Sequence, residues 1–534
     1  IPFAQEALGV LPDFSVVRPT VENPPITPAA VNEGFSQALA QSLRPDQINT
    51  EERNRLLHSH GQTTVDEVTK VLYGRIDRCV DAVVYPESHD DCVALVRAAA
   101  EHNVCLIPYG GGTNVTSALI VPESETRMVV SVDMRRLNKI EWVDKENMIA
   151  SVQAGILGSK LEADLEAMGL TCGHEPDSVE LSTLGGWIST NASGMKKNRY
   201  GNIEEIVENI TLVTPAGVVE ELTTMPRVSM GMQTKRSLFG SEGNLGLITR
   251  AVIRVHKLPE VKKYNAIIFH DWHTGVEFMR DLNETGVLPA SIRLVDNVQF
   301  RFGQALKAAP EGMHQLTDKA QTLFVTKVKG FDPHKMVAAT IVMEGADHEV
   351  AHQEQVIGKV AKKHGGLVAG SANGQRGYML TYAIAYIRDL LSDYYVVGET
   401  YETTAPWSKI HDVCEAVERT VLEEHKAYGF PGKPYASPRI TQMYHSGVCI
   451  YFTHGFYHKG IDNAEEKFGI MEKKIRQAIM DAGGSISHHH GVGKLRAEFM
   501  SRTLSPTAAD SVRDLKRGLD PQNIFGVRNN ILFE

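Results

Sequence analysis

Three consecutive histidines, His488-His489-His490, run into Gly491-Val492-Gly493-Lys494 near the end of the chain. Imidazole exchanges protons near neutral pH and also ligates metals, so the triplet is a candidate for either role. On an extended segment side chains alternate, placing His488 and His490 on one side and His489 on the other. At most two could share an ion, so we expect a polar wall and no metal. Gly491 and Gly493 permit close approach to a ligand, and Lys494 is a candidate anion contact. Tyr451 lies in Cys449-Ile450-Tyr451-Phe452-Thr453, a strand pattern that puts it opposite Ile450 and Phe452. Taken alone, such a tyrosine reads as a packed core ring. Arg293 and Arg388 stand among apolar neighbours, where a guanidinium must find an anionic or hydrogen-bonding partner. Asp296 and Asp389 are the nearest such groups in sequence.

Glycine-rich turns must position a ligand near these groups. Pro108-Tyr109-Gly110-Gly111-Gly112-Thr113-Asn114 follows the buried run Val104–Pro108, a setting in which backbone amides can approach phosphate oxygens. Thr183-Leu184-Gly185-Gly186-Trp187-Ile188-Ser189-Thr190-Asn191-Ala192-Ser193-Gly194 is a second stretch, read as a ligand-wrapping loop and followed by Lys196, Lys197 and Tyr200. A third, Phe239 to Gly246, includes Glu242 and Gly243 and enters a strand at Ile248. Neither GxGxxG opening a helix nor GxxxxGK[ST] occurs, which excludes the common dinucleotide and P-loop designs. Three such turns in one region favour a cofactor site over packing turns.

Periodicity supplies the scaffold. Helices are expected at Asp90–Asn103, over the stripe Leu157, Leu161, Leu165 and Met168, at His411–Tyr428 and at Glu465–Ala482. Strands are expected at Met128–Val132, Ile149–Gln153 and Ile248–Val255, with Pro259 closing a first domain. Residues 1–50, proline-rich early, read as an irregular arm with a short helix near Val31–Leu43. Residues 51–260 read as a ligand domain and 261–480 as an α/β second domain. Residues 481–534 carry the histidines and a terminal helix.

A chain of 534 residues needs two or three such domains. With 42% hydrophobic and 22% charged residues it is a globular sequence. The balance of 55 Lys and Arg against 65 Asp and Glu disfavours a nucleic-acid binder. Six scattered cysteines without CxxC favour reduced, mostly buried thiols. No apolar run is long enough to span a bilayer. The start at Ile1 suggests that an N-terminal piece, and any address in it, has been removed; the C-terminus is not Ser-Lys-Leu.

The three glycine turns and Leu519-Asp520-Pro521-Gln522-Asn523-Ile524-Phe525 together resemble the vanillyl-alcohol-oxidase type flavoproteins. That resemblance implies an α+β fold: a two-subdomain FAD-binding domain, a cap domain, and a C-terminal segment that returns to the FAD domain. It also implies non-covalent FAD, because no His or Cys stands at the Gly110–Gly112 turn, where relatives tether the flavin. The cofactor residues carried over are Pro108, Gly110, Gly111, Gly112, Thr113, Asn114, Asp177, Thr183, Gly185, Gly186, Thr190, Asn191, Ser193, Gly194, Tyr200, Glu242, Gly243, Gly246 and Ile248.

Further segments are similar to the alkyldihydroxyacetonephosphate synthases, ether-lipid enzymes of peroxisomes. They are Gly173-His174-Glu175-Pro176-Asp177-Ser178, Ser193–Asn198, Ser291–Leu294, Asn373–Tyr378, Ala385–Asp389 and Ser487–Arg496. The similarity implies exchange of the acyl chain of acyl-dihydroxyacetone phosphate for a long-chain fatty alcohol. This alkyl transfer has no net redox change and uses an adduct at flavin N5. It further implies Tyr451 as the base at C1, with its phenol acidified below the ordinary value of about 10 by a nearby Arg or protonated His. His488, His489 and His490 become active-site residues, with His490 the acid/base or leaving-group partner. Arg388 contacts the substrate and Arg293 organises the histidines. A homodimer at the luminal face of the peroxisomal membrane, in peripheral contact through the cap or the arm, is also implied. An FAD-linked D-2-hydroxy-acid dehydrogenase of the D-lactate type shares the glycine turns and is the alternative. A non-catalytic flavin binder is a third reading.

Overall fold

The computed structural model describes residues 2–22, 24–61, 64–306 and 323–532. The chain divides into two units. The loop unit comprises Pro19–Gly194, Tyr200–Leu258 and Ile486–Glu534; the sheet unit comprises Ile1–Arg18, Met195–Arg199 and Pro259–Ser485.

Short apolar runs and Ala/Leu-rich helical stretches alternate in the loop unit. Its first sheet joins β1 (Ile48–Asn49), β2 (Ala82–Val84), β3 (Cys105–Tyr109) and β4 (Val129–Asp133) in the order β1-β2-β4-β3. β2 and β3 both run parallel to β4, and helix His89–His102 makes the crossover between them. Ser88 caps that helix by accepting from Asp91 N, and Asn103 ends it in left-handed backbone at φ 53°. β5 (Ile140–Asp144) and β6 (Ile149–Gln153) lead into a second, antiparallel sheet. After the short β7 (Leu170–Thr171), β8 (Val207–Thr214), β9 (Gly217–Val219) and β10 (Leu247–Arg254) complete it in the order β5-β6-β10-β8-β9. β7 itself pairs with β11 (His256–Lys257).

One expectation changes here. Residues 1–50 are not a separate irregular arm. Helix Glu33–Ser42 buries Phe35 and Leu39 in the core of the first sheet, which β1 extends. Burying each such side chain contributes roughly 1.5–3 kcal/mol, so the segment is structural. The tail from Ile486 belongs to this unit as well: Leu106 N donates to Ile524 O at 2.8 Å, and Ile524 and Phe525 lie in the same core. Asp520 accepts from the N–H groups of both Ile524 and Phe525, which gives the Asp520–Phe525 motif a local cause.

The sheet unit is built on one seven-stranded antiparallel sheet. Its strands are β12 (Val261–Phe269), β13 (Ser291–Val295), β14 (Val337–Gly345), β15 (Leu367–Val368), β16 (Val396–Pro406), β17 (Tyr435–Met443) and β18 (Gly447–Tyr457). The order is β15-β12-β14-β13-β17-β18-β16. Period-two alternation sorts its faces. Ile292, Leu294, Ile341, Ile440, Ile450 and Phe452 pack on one face into a core with helices Trp272–Glu284, Ile410–Ala427 and Ala464–Asp481. Arg293, Thr340, Glu402, Arg439 and Tyr451 occupy the other face, with Arg293 opposite Thr340 and Tyr451 opposite both Glu402 and Arg439. Helix Ser371–Ser392 lies over that second face. A Cβ at Gly377 would come 2.4 Å from Thr340 Cγ2, so glycine allows the helix to approach the sheet. None of the described helices is long and apolar enough to cross a membrane.

Candidate active site

In the loop unit the first glycine turn leaves β3 and folds against the start of the second stretch. A Cβ at Gly111 would stand 1.9 Å from Leu181 O, and one at Gly110 would stand 2.6 Å from Thr183 Oγ1. Only glycine permits that approach. Thr183 accepts from Gly186 N at 3.2 Å and so caps a helix, Leu184–Thr190. The second stretch is therefore not the ligand-wrapping loop expected: its first half is a short helix, anchored by the buried Leu184, Trp187 and Ile188. Thr190 donates back to Gly186 O, Asn191 ends the helix at φ 52°, and Ser193 donates to Asn202 Oδ1 at 2.6 Å. The third turn joins the other two, because Glu242 N donates to Ser189 O and Gly243 packs beside Pro108. Gly246 faces Val213 O, and Ile248 lies buried on β10.

The chemistry of this cradle fits FAD. Pro108, Gly110, Gly111, Gly112, Thr113 and Asn114 offer backbone and short side chains around a turn. Gly185 and Gly186 are half-buried and add surface without side chains, while Gly194 is buried against Glu175 and His174. Buried polar atoms in the same unit, Ser117 Oγ, Asn530 Oδ1 and both ring nitrogens of His174, have no protein hydrogen-bond partner among the described residues. Burial drives the His174 pKa down to about 3, so its ring is neutral. Its ring centroid lies 4.7 Å from that of Trp187, under the second glycine stretch. Such groups are ready to meet polar atoms of a cofactor.

Three of the carried-over residues have defined surroundings of their own. The Glu242 carboxylate accepts from Val492 N at 2.7 Å, Gly493 N at 3.0 Å and Asn530 Nδ2 at 3.0 Å. It clamps the backbone that follows the histidines. Burial, the largest influence, raises its pKa above the usual carboxylate value, while those N–H groups oppose the rise. Tyr200 packs its ring on Gly173 and against His256, with ring centroids 5.1 Å apart. Asp177 is exposed.

The histidine segment also departs from expectation. His488 and His489 share a hydrogen bond between their Nδ1 atoms at 2.7 Å, and the rings of His489 and His490 approach to 4.6 Å. Neighbouring rings thus touch, because the segment is irregular and does not alternate as a strand would. Lys494 Nζ donates to Asn529 Oδ1 at 2.9 Å and Ala118 O at 3.1 Å. Burial lowers its pKa to about 7, against the pull of Glu242 and Glu67. Lys196 and Lys197, expected beside the second stretch, belong to the sheet unit. There Lys196 pairs with Glu344 at 3.4 Å and Lys197 lies 3.8 Å from the Tyr444 ring centre.

The sheet unit holds Tyr451, Arg293 and Arg388. Tyr451 is buried on β18 and shares a hydrogen bond with Thr400 Oγ1 at 3.1 Å. Arg439 of β17 lies with its guanidinium carbon 4.2 Å from the Tyr451 ring centre. Sequence reasoning misses it, because Ser437-Pro438-Arg439-Ile440 reads as an ordinary alternating strand. Arg293 is buried on β13, 6.0 Å from the Tyr378 ring centre. Asp296, the partner suggested by proximity in sequence, instead caps helix Asn297–Ala305 and accepts from Ser437 Oγ at 2.6 Å. Burial pushes the Asp296 pKa up to about 7. Arg388 is half-buried on helix Ser371–Ser392.

Residues 80–223 match the FAD binding domain, and residues 258–528 match the C-terminal domain of FAD linked oxidases. Fold and loops thus define an FAD-dependent enzyme. An alkyldihydroxyacetonephosphate synthase of Caenorhabditis elegans is 41% identical over 533 residues, covering 99% of this chain and 88% of that protein. The solved structure of an alkyldihydroxyacetonephosphate synthase matches with a TM-score of 0.85 at 29% identity, over 98% of this chain and 91% of that chain. A mitochondrial D-lactate dehydrogenase of Arabidopsis thaliana is 22% identical, covering 91% of this chain and 78% of that protein. The chain belongs to the alkyldihydroxyacetonephosphate synthase family, and the D-lactate type is the more distant relation.

Proposed function

We propose that this chain exchanges the acyl chain of acyl-dihydroxyacetone phosphate for a long-chain fatty alcohol, releasing a fatty acid and forming the alkyl ether. Membership of the synthase family along nearly the whole chain carries this reading. The buried Tyr451–Arg439 pair and the clamped histidine segment support it. Tyr451 takes a proton from C1 of the substrate and returns it after exchange. Arg388 supplies fixed positive charge to the substrate, and Arg293 organises the histidines. His488, His489 and His490 serve the leaving carboxylate and accept the proton of the incoming alcohol. FAD, held by the glycine turns, supplies the electron-accepting ring that makes C1 exchangeable without net redox change.

Anaerobic enzyme given palmitoyl-dihydroxyacetone phosphate and hexadecanol should form alkyl product with no reduced acceptor. Obligate dependence on an electron acceptor, or turnover of D-lactate alone, would overturn the proposal. We place the protein, as a homodimer, at the luminal face of the peroxisomal membrane, because both organic substrates partition into bilayers. Flotation with liposomes and organelle fractionation test that placement.

A further inference from the structure

Tyr451 stands in the middle of a row that crosses three strands. Glu402 of β16 pairs with Tyr451 of β18, and Tyr451 pairs in turn with Arg439 of β17. All three are nearly out of solvent, at 0%, 7% and 4% exposure. A phenol in that setting resists ionising, because burial disfavours its charged form. The guanidinium, always charged and stacked over the ring with its carbon 4.2 Å from the ring centre, supplies the opposing influence. Thr400 fixes the phenol oxygen at 3.1 Å.

Other charged and titratable groups share this face. They are Cys449 two residues along β18, Arg293 of β13, Glu344 of β14, and Arg376, Tyr378 and Arg388 on the helix over the sheet. Of all these, Glu402 and Arg439 are the two in register with Tyr451, and they carry opposite signs.

We propose that Arg439 is a positioning residue for the reaction: its guanidinium, stacked on Tyr451, holds that phenol in the ionised form able to take a proton from carbon. The balance is simple. Phenolate oxygen gains the proton, the C–H bond breaks, and its electron pair stays with the substrate carbon. Arg439 changes neither its own bonds nor its charge. Glu402 acts in the opposite sense, since a carboxylate beside the phenolate disfavours it. The inference rests on Tyr451 being the base, but its spectroscopic test does not.

The test is ultraviolet difference titration of the FAD-loaded enzyme at the tyrosinate band. The Tyr451→Phe trace is subtracted to isolate one of 16 tyrosines. Arg439→Met should move ionisation of Tyr451 upward by about two pH units and cut turnover at neutral pH about 100-fold, since each pH unit is tenfold in phenolate fraction. Arg439→Lys, which keeps the charge, should recover part of both. Glu402→Gln should move ionisation downward, and this arm stands even if Arg439→Met folds poorly. An unchanged Tyr451 titration in Arg439→Met, or an upward shift in Glu402→Gln, would overturn the proposal. Full turnover in Tyr451→Phe would remove Tyr451 as the base, while the titrations would still report whether Arg439 governs its ionisation.

Discussion

The two units build their candidate functional residues from different materials. The loop unit uses backbone: turns with no side chain at Gly110 and Gly111, a cap from Thr183, and main-chain N–H groups of Val492 and Gly493 gathered on Glu242. The sheet unit uses side chains, with Tyr451, Arg439 and Thr400 delivered by three strands that meet only in the folded sheet. A site made of backbone demands glycine at fixed spacing and so marks the sequence. A site made of aligned side chains needs only alternation, which every sheet has.

This contrast can be broken by separating flavin content from turnover. The largest effect is expected for Gly111→Ala, whose Cβ would stand 1.9 Å from Leu181 O. The purified protein should lack the yellow flavin absorbance and all activity. A yellow, active variant would show that the turn does not need that approach. Tyr451→Phe should keep its flavin and lose turnover by about 10²–10⁴-fold, the range for a missing general base. Flavin loss in this variant would mean that flavin content and turnover are not separable. Glu242→Gln, which replaces one acceptor oxygen with an amide facing N–H donors, should retain most flavin and lose about tenfold in turnover. A hydrogen bond to a charged group, of the kind this variant removes, is worth roughly 1.5–3 kcal/mol. Unchanged turnover would show that the clamp does not position the histidines.

The smallest effect lies in the pH dependence of melting, where the units should show opposite signs. Asp296 in the sheet unit has its pKa raised from 3.8 to about 7. Its stabilising contribution is full below the unfolded value and is lost as pH rises through about 7. Lys494 in the loop unit has its pKa lowered from 10.5 to about 7. Its contribution is present above the unfolded value and is lost as pH falls through about 7. Asp296→Asn, which can still cap its helix, should flatten the acid side of a melting profile, and Lys494→Met the alkaline side, each by a few degrees. The same slope in both variants would contradict this assignment.

Much of the scaffold is legible in the sequence. Helix His89–His102, strand β6 and the boundary near Pro259 follow from local periodicity and breakers. The glycine turns mark a ligand site by their clustering, and their resemblance to the vanillyl-alcohol-oxidase type flavoproteins points to a flavin. Helix Leu184–Thr190 reads as a loop, since two glycines hide a pattern that Leu184, Trp187 and Ile188 complete only once buried. Alternation of the histidines requires an extended segment. Left-handed backbone at Gly491 and Gly493, with φ 84° and 52°, instead bends the chain around Glu242. Arg439 carries no local signal at all.

Sequence alone determined the kinds of groups available: glycine turns for a cofactor, a histidine triplet, a strand tyrosine and arginines among apolar neighbours. These are properties of residue type and short spacing, which local sterics dictate. Tertiary structure decided which groups meet. It gave Glu242 to the histidine backbone, Lys494 to Asn529 and Ala118, and Arg439 to the face of Tyr451. Those pairings depend on strand register and on the return of the tail from Ile486. They are set by burial of a shared core, which joins residues far apart along the chain.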